Sequence, residues 1–209
     1  MSDADTAFAR AREEIARVRR EGAAELSFAS ADFRALDHLP EEIGALPTLR
    51  FLNLDNTIVS DITPLSGLTG LVDLWLDRTD VTDLAPLSGL TGLAELWLNE
   101  TGVMNLWPLS DLKGLTELWL DSTSVTDLAP LSSLTGLTEL DLDNTPVIDL
   151  RPIRGLRRLA EEPYIQGVSF KNCAACEADP QIARISEIED HEARAAALFD
   201  YLANWVPPG

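Results

Sequence analysis

The 209 residues are 45% hydrophobic and carry a formal net charge of −19, with two cysteines and two histidines. Such acidity repels DNA, RNA and anionic membranes, and no stretch approaches the roughly 18 apolar residues of a membrane span. Two cysteines are too few for a disulfide-built secreted scaffold, and Met1 to Arg20 holds no apolar signal-peptide core, so a cytoplasmic protein is expected, with delivery to a host cell left open.

From about Thr6 to Glu21 the sequence predicts an amphipathic helix, with Phe8, Ala11, Ile15 and Val18 on one stripe and Gly22 as its stop. Its arginines, Arg10, Arg12, Arg17, Arg19 and Arg20, are diluted by Glu13, Glu14 and Glu21, the pattern of a solvated face rather than a nucleic-acid or lipid site. Leu26, Ser27 and Phe28 then predict a first, irregular strand. Leu36, Leu39, Ile43 and Leu46 carry the chain into regular sequence, so residues 1–45 form a helical cap and an irregular first repeat.

Residues 46–155 repeat one pattern every 22 residues, L-x-x-L-x-x-L-x-L-x-x-T-x-V-x-D-L-x-P-L, in five gapless copies opening at Leu46, Leu68, Leu90, Leu112 and Leu134. Seven apolar columns recur in step, for example Leu71, Leu74, Leu76, Val81, Leu84, Leu87 and Leu90. No copy has enough apolar surface to bury its own face, so a fixed period of this length predicts a solenoid of stacked units, one elongated domain.

The pattern breaks after Leu156 and Leu159, where Glu161, Glu162 and Pro163 stand in place of a strand start. It resumes at Val168, Ser169 and Phe170, which makes 156–176 a divergent last repeat with an insertion. Asp179-Pro180 and Asp190 open two further helices, near 180–188 and 191–205. The second has a stripe of Ala195, Leu198, Leu202 and Trp205 that suits a C-terminal cap over residues 177–209.

Length and pattern coinciding five times resemble the leucine-rich repeat superfamily, in the 22-residue class of bacterial internalin-like proteins and of a phosphatase regulatory subunit. The resemblance covers about half the chain strictly. It implies an α/β solenoid: a horseshoe with a parallel β-sheet on the concave face, short 3-10 or irregular turns on the convex side, and helical caps at both ends.

Strand alternation then sends Leu74 and Leu76 into the core and Asp73, Trp75 and Asp77 to the concave side. Stacked by repeat, the first concave column is Phe51, Asp73, Glu95, Glu117 and Glu139. The middle one is Asn53, Trp75, Trp97, Trp119 and Asp141, and the third is Asp55, Asp77, Asn99, Asp121 and Asp143. A tryptophan ladder thus lies between two acidic rows. Neighbouring carboxylates about 4.8 Å apart repel by roughly 1 kcal/mol per pair even in a water-like dielectric, a cost that a cation would relieve.

Arginine suits both elements, because its guanidinium forks onto carboxylates and stacks on indole. The expected function is a non-enzymatic protein-interaction module that grips a basic, partly apolar protein or peptide and is a monomer when free. Carbohydrate binding on the tryptophan ladder is the alternative from another class. Regulation of an enzyme such as a phosphatase is the variant that the resemblance suggests.

The other repeated polar residues have structural readings. Asp61, Asp83, Asn105, Asp127 and Asp149 precede the Leu-x-Pro-Leu turns (Ile-x-Pro-Leu in the first copy, Leu-x-Pro-Ile in the fifth) and are expected to accept from backbone N–H groups. Thr57, Thr79, Thr101, Thr123 and Thr145 are expected to bond backbone groups where the strand turns. The third-column acids lack the spacing of a calcium loop. Cys173-Ala-Ala-Cys176 admits a redox pair or half a zinc site, yet only His191 could join it at that end, and structural thiols are the plainer reading. No nucleophile elbow, phosphate-cradling loop or zinc-helix motif occurs, so no catalytic residue, metal or cofactor is assigned.

Overall fold

The computed structural model describes residues 2–160 and 167–204, so the expectations for Glu161 to Pro163 and for Trp205 lie outside the described residues. Helix α1 (Asp3–Glu21) leads into seven parallel strands that lie side by side in chain order: β1 (Glu25–Ser27), β2 (Phe51–Asn53), β3 (Asp73–Trp75), β4 (Glu95–Trp97), β5 (Glu117–Trp119), β6 (Glu139–Asp141) and β7 (Val168–Ser169). Helices α2 (Ala174–Ala178), α3 (Pro180–Ser186) and α4 (His191–Asn204) follow. This is an open leucine-rich repeat solenoid with helical ends, and no described helix is long and apolar enough to cross a membrane.

Register follows the period. Leu52, Leu74, Leu96, Leu118 and Leu140 pair in sequence across β2 to β6, and all five are buried, as are the other leucine and valine columns. Each such side chain contributes about 1.5–3 kcal/mol by leaving water, but only with a neighbouring repeat in place to cover it. At the ends the spacing changes. Leu26 pairs with Leu52, 26 positions on, and Leu140 pairs with Val168, 28 positions on, so the last repeat is six residues longer than the regular ones.

Each regular repeat turns by the same local devices. The threonine after the strand donates to the carbonyl three residues back, as Thr79 Oγ1 does to Leu76 at 2.7 Å, and Thr57, Thr101, Thr123 and Thr145 do likewise. Before each proline turn the side chain of Asp61, Asp83, Asn105, Asp127 or Asp149 accepts the backbone N–H two residues on, at 2.8–3.0 Å. A short 3-10 turn follows in each, with proline near its start, where a missing N–H costs nothing. Between strand and threonine sits a residue with left-handed backbone: Asn56, Arg78, Glu100, Ser122 and Asn144, with Asn172 in the last repeat.

The caps differ from expectation in detail. Helix α1 begins before Thr6 because Ser2 and Asp5 form a reciprocal capping box, and it ends at Gly22 with φ of 63° as expected. Ala7 fills the buried stripe with Ala11, Ile15 and Val18, while Phe8 stacks on His38 at its edge. The first strand is Glu25–Ser27, one residue earlier than predicted, with Phe28 buried just after it. At the other end Asp179 caps α3 through the Gln181 N–H, and α4 lays Ala195, Leu198 and Leu202 against the last repeat. Arg194 is buried there, donating from Nε to the Val168 carbonyl and from Nη1 to that of Ile188, each at 2.7 Å. Helix α2 is too short for periodicity to have announced it.

Left-handed backbone is tolerated by asparagine and strained for other side chains, most of all β-branched ones. Ser122→Val should therefore lower stability by about 1–2 kcal/mol, whereas Ser122→Asn should hold or raise it; urea unfolding of both variants checks this.

Candidate functional site

The concave sheet brings together all fifteen residues of the three predicted columns. Register places Phe51, Asp73, Glu95, Glu117 and Glu139 in one row and Asn53, Trp75, Trp97, Trp119 and Asp141 in the next. Every one is half-buried except Asn53, which is buried. The tryptophans are less open than an exposed ladder would be, because they cover one another. Trp75 and Trp97 stack at 4.3 Å and 14°, Trp97 and Trp119 are tilted by 44° at 5.5 Å, and Phe51 meets Trp75 edge-on.

This stacking buries the three indole nitrogens without giving them acceptors. The Trp75 N–H lowers the pKa of Glu95 slightly but falls short of hydrogen-bond geometry. An unmet buried donor costs about 1–3 kcal/mol, so the ladder is held by ring packing against a polar penalty.

The third row is more structural than its sequence suggests. One oxygen of Asp55 accepts the Asp77 N–H at 2.8 Å, Asp77 accepts that of Asn99 at 2.8 Å, and Asn99 accepts that of Asp121 at 2.9 Å. Asp143 continues the pattern with Lys171 and also receives the Ser169 hydroxyl. Asp55, Asp77, Asn99 and Asp143 thus each satisfy the next repeat's backbone, whereas Asp121 accepts the Ser122 hydroxyl at 3.1 Å and the Asn144 side-chain amide at 2.7 Å. Where the third row supplies no acceptor, ahead of Asp55 and at Asp121, the middle row supplies one: Asn53 accepts from Asp55 N–H and Asp141 from Asp143 N–H. The ladder of rings is bounded at both ends by these two short acceptors.

Electrostatics separate the rows. Burial raises the carboxyl pKa of Asp73, and raises that of Glu95 with help from the charges of Glu117, Asp73 and Glu139. Burial also raises Asp55 and Asp77 against the backbone bonds that favour their ions. Asp141 is pushed furthest, to about 6, by burial and the nearby Asp143 and Asp121, in spite of Arg194. Beside the third row Arg78 is already paired with Glu100 of the next repeat at 2.7 Å.

Family comparison agrees with this geometry. A model described as "Leucine Rich repeats (2 copies)" matches residues 113–155. Among solved structures, the chain superposes on internalin C2 of Listeria monocytogenes with TM-score 0.58 and 34% identity, covering 63% of this chain and 55% of that one. The chain has the leucine-rich repeat fold and pattern. Its repeats are internalin-like: the Listeria internalin InlF aligns over 82% of this chain and 59% of its own, at TM-score 0.67 and 26% identity. A leucine-rich repeat protein of Leptospira interrogans shares the fold, with TM-score 0.58 at 20% identity over 66% of this chain and 42% of that one. The chain thus spans little more than half the length of the two internalins. No curated protein sequence matches it.

Among the described residues, the most exposed large apolar side chains are not on the concave sheet. Met104 and Trp107 are 64% and 59% exposed in a single repeat, with Ile58 and Ile148 elsewhere on the turn side. Sequence reasoning passed over Trp107, although its column otherwise holds Thr63, Ala85, Ala129 and Arg151, and the odd residue there was the available signal.

Asp141 yields a signed prediction. Its folded pKa lies above the ordinary 3.8, so the stability it lends is fully present below about 3.8 and is lost as pH rises through about 6. Asp141→Asn keeps the acceptor for the Asp143 N–H and removes the charge. It should stabilise the protein by roughly 1–3 kcal/mol at pH 8 and by little at pH 3.5; unfolding curves at both pH values check this, and equal gains would refute the ionisation cause.

Proposed function

We propose that the concave face binds a basic, partly apolar protein surface or peptide. Leucine-rich repeat proteins generally mediate protein–protein interaction, and this chain carries no assigned catalytic constellation. The observation that carries the reading is the first row of acids. Asp73 and Glu95 hold their protons more tightly than usual because they are half-buried and, for Glu95, crowded by like charges. A guanidinium or ammonium laid along that row relieves the repulsion and brings its alkyl stem over the rings.

The aromatic row supplies the apolar part. Trp75, Trp97 and Trp119 present edges and a partly opened face at Trp119, where the stack tilts. Binding energy concentrates on such central aromatics, while the acids set orientation and on-rate. Sugar recognition is the weaker reading, since it needs ring faces and Trp75 and Trp97 cover each other's. Control of an enzyme partner would be one form of the same protein contact. Two copies meeting through this face would oppose like charges, so the free protein is expected to stay monomeric.

The test uses labelled peptides alternating arginine with leucine, against glutamate–leucine controls, followed by intrinsic tryptophan fluorescence. The basic peptide should bind, and its affinity should fall about tenfold or more between low and high salt. Glu95→Gln with Glu117→Gln should weaken binding about threefold to thirtyfold with the fold intact, and Trp97→Ala by about thirtyfold. Equal affinity for both peptides, or indifference to these substitutions, would overturn the assignment.

A further inference from the structure

Behind the last strand, two thiols sit in contact. Cys173 occupies the cap position of α2 and is wholly buried, while Cys176 lies one turn on and is half-buried. Their sulfurs are 3.5 Å apart, and the Cys176 thiol donates to the Phe170 carbonyl at 3.1 Å. The pair is held from outside itself. Ala174 N–H bonds the Thr145 carbonyl and Ala175 N–H that of Val147, which pins the start of α2 to the fifth regular repeat.

The two sulfurs face different surroundings. Cys176 lines an open pocket of about 410 Å³ whose rim includes Glu177, Arg184, Ser186 and Glu187, while Cys173 has no exposed surface. Hydrogen bonding from the Cys173 thiol, aided by the Ser186 hydroxyl, outweighs burial and lowers Cys176 to about 7; the same contact and burial push Cys173 upward. Among the described residues no group of three or more His, Cys, Asp or Glu could hold a metal, which leaves a two-sulfur site with one accessible sulfur.

We propose that Cys176 and Cys173 form a reactive dithiol that is oxidised by low-molecular-weight disulfides, with Cys176 attacking and Cys173 resolving. The Cys176 thiolate displaces one half of the small disulfide as a thiolate and becomes the mixed disulfide. Cys173, losing its proton to solvent, attacks the Cys176 sulfur and expels the second half. The protein gives up two electrons and two protons, one Cys173–Cys176 bond forms, and the small disulfide leaves as two thiols. Contact at 3.5 Å means that side-chain rotation closes the bond, because residues three apart on a helical turn lie within the span a disulfide accepts. The charged rim suits a zwitterionic reagent, and a pocket of a few hundred Å³ is of ligand size.

Glutathione disulfide is the probe, applied to the full chain at neutral pH, quenched by alkylation and read by intact mass. The wild type should lose both alkylatable thiols and end lighter by two hydrogen atoms, with dithiothreitol restoring it. Cys173→Ser, or Cys173→Ala if the hydroxyl disturbs the core, should stop with one glutathione on Cys176. Cys176→Ser should react at least about tenfold more slowly than Cys173→Ser, since its remaining thiol is buried. Persistence of both wild-type thiols, a stable glutathione adduct on the wild type, or equal rates in the two serine variants would overturn the proposal.

Discussion

The leucines of one repeat are buried only by those of the next, and that dependence dictates the rest of the molecule. It fixes strand pairing one for one, since a slip by a single residue would turn Leu96 outward and Trp97 inward. Exact pairing, in turn, forces every position of the 22-residue unit into a column. A residue type chosen once by the repeat is thereby multiplied along the sheet, whether it favours the fold, as leucine does, or burdens it, as glutamate does.

The concave face shows how that burden is distributed. In the third row the cost is offset within the fold, because Asp55, Asp77, Asn99 and Asp143 accept a backbone N–H of their successors, Asp121 accepts two side-chain donors, and the neutral Asn99 interrupts the charges. In the first row Glu95 is instead held among the like charges of Asp73, Glu117 and Glu139. The middle row hides its own polar atoms behind stacked rings. Of the three rows, the two acidic ones look alike in sequence, yet one braces the solenoid and the other crowds like charges beside a packed aromatic seam.

Much of this was legible in the sequence, for reasons that differ by residue. The proline-turn acceptors and the threonines act on backbone two or three positions away, so their roles can be read from local spacing alone. The third-row ladder acts across a whole repeat, and nothing in a single copy distinguishes Asp77, an acceptor for Asn99, from an acid that faces solvent. Indole rotamers are set by neighbouring strands, which is why the columns were predictable and the burial of three N–H groups was not. Helix α1 began early because the Ser2 and Asp5 box lies ahead of the apolar stripe, and α2, at five residues, spans too little chain to show a period.

Among the described residues α1 packs at the β1 end of the sheet and α4 at the β7 end, where α4 also meets the 3-10 turn Arg151–Gly155 of the fifth regular repeat. A unit spliced in or removed between β3 and β5 would leave either cap undisturbed and move it by one strand spacing, about 4.8 Å. The reach of the acidic and aromatic rows is therefore a matter of counting. Lengthening the chain by one copy extends the ruler by one graduation, and descendants of such a gene could be fitted to longer or shorter targets without redesigning a single contact in the core.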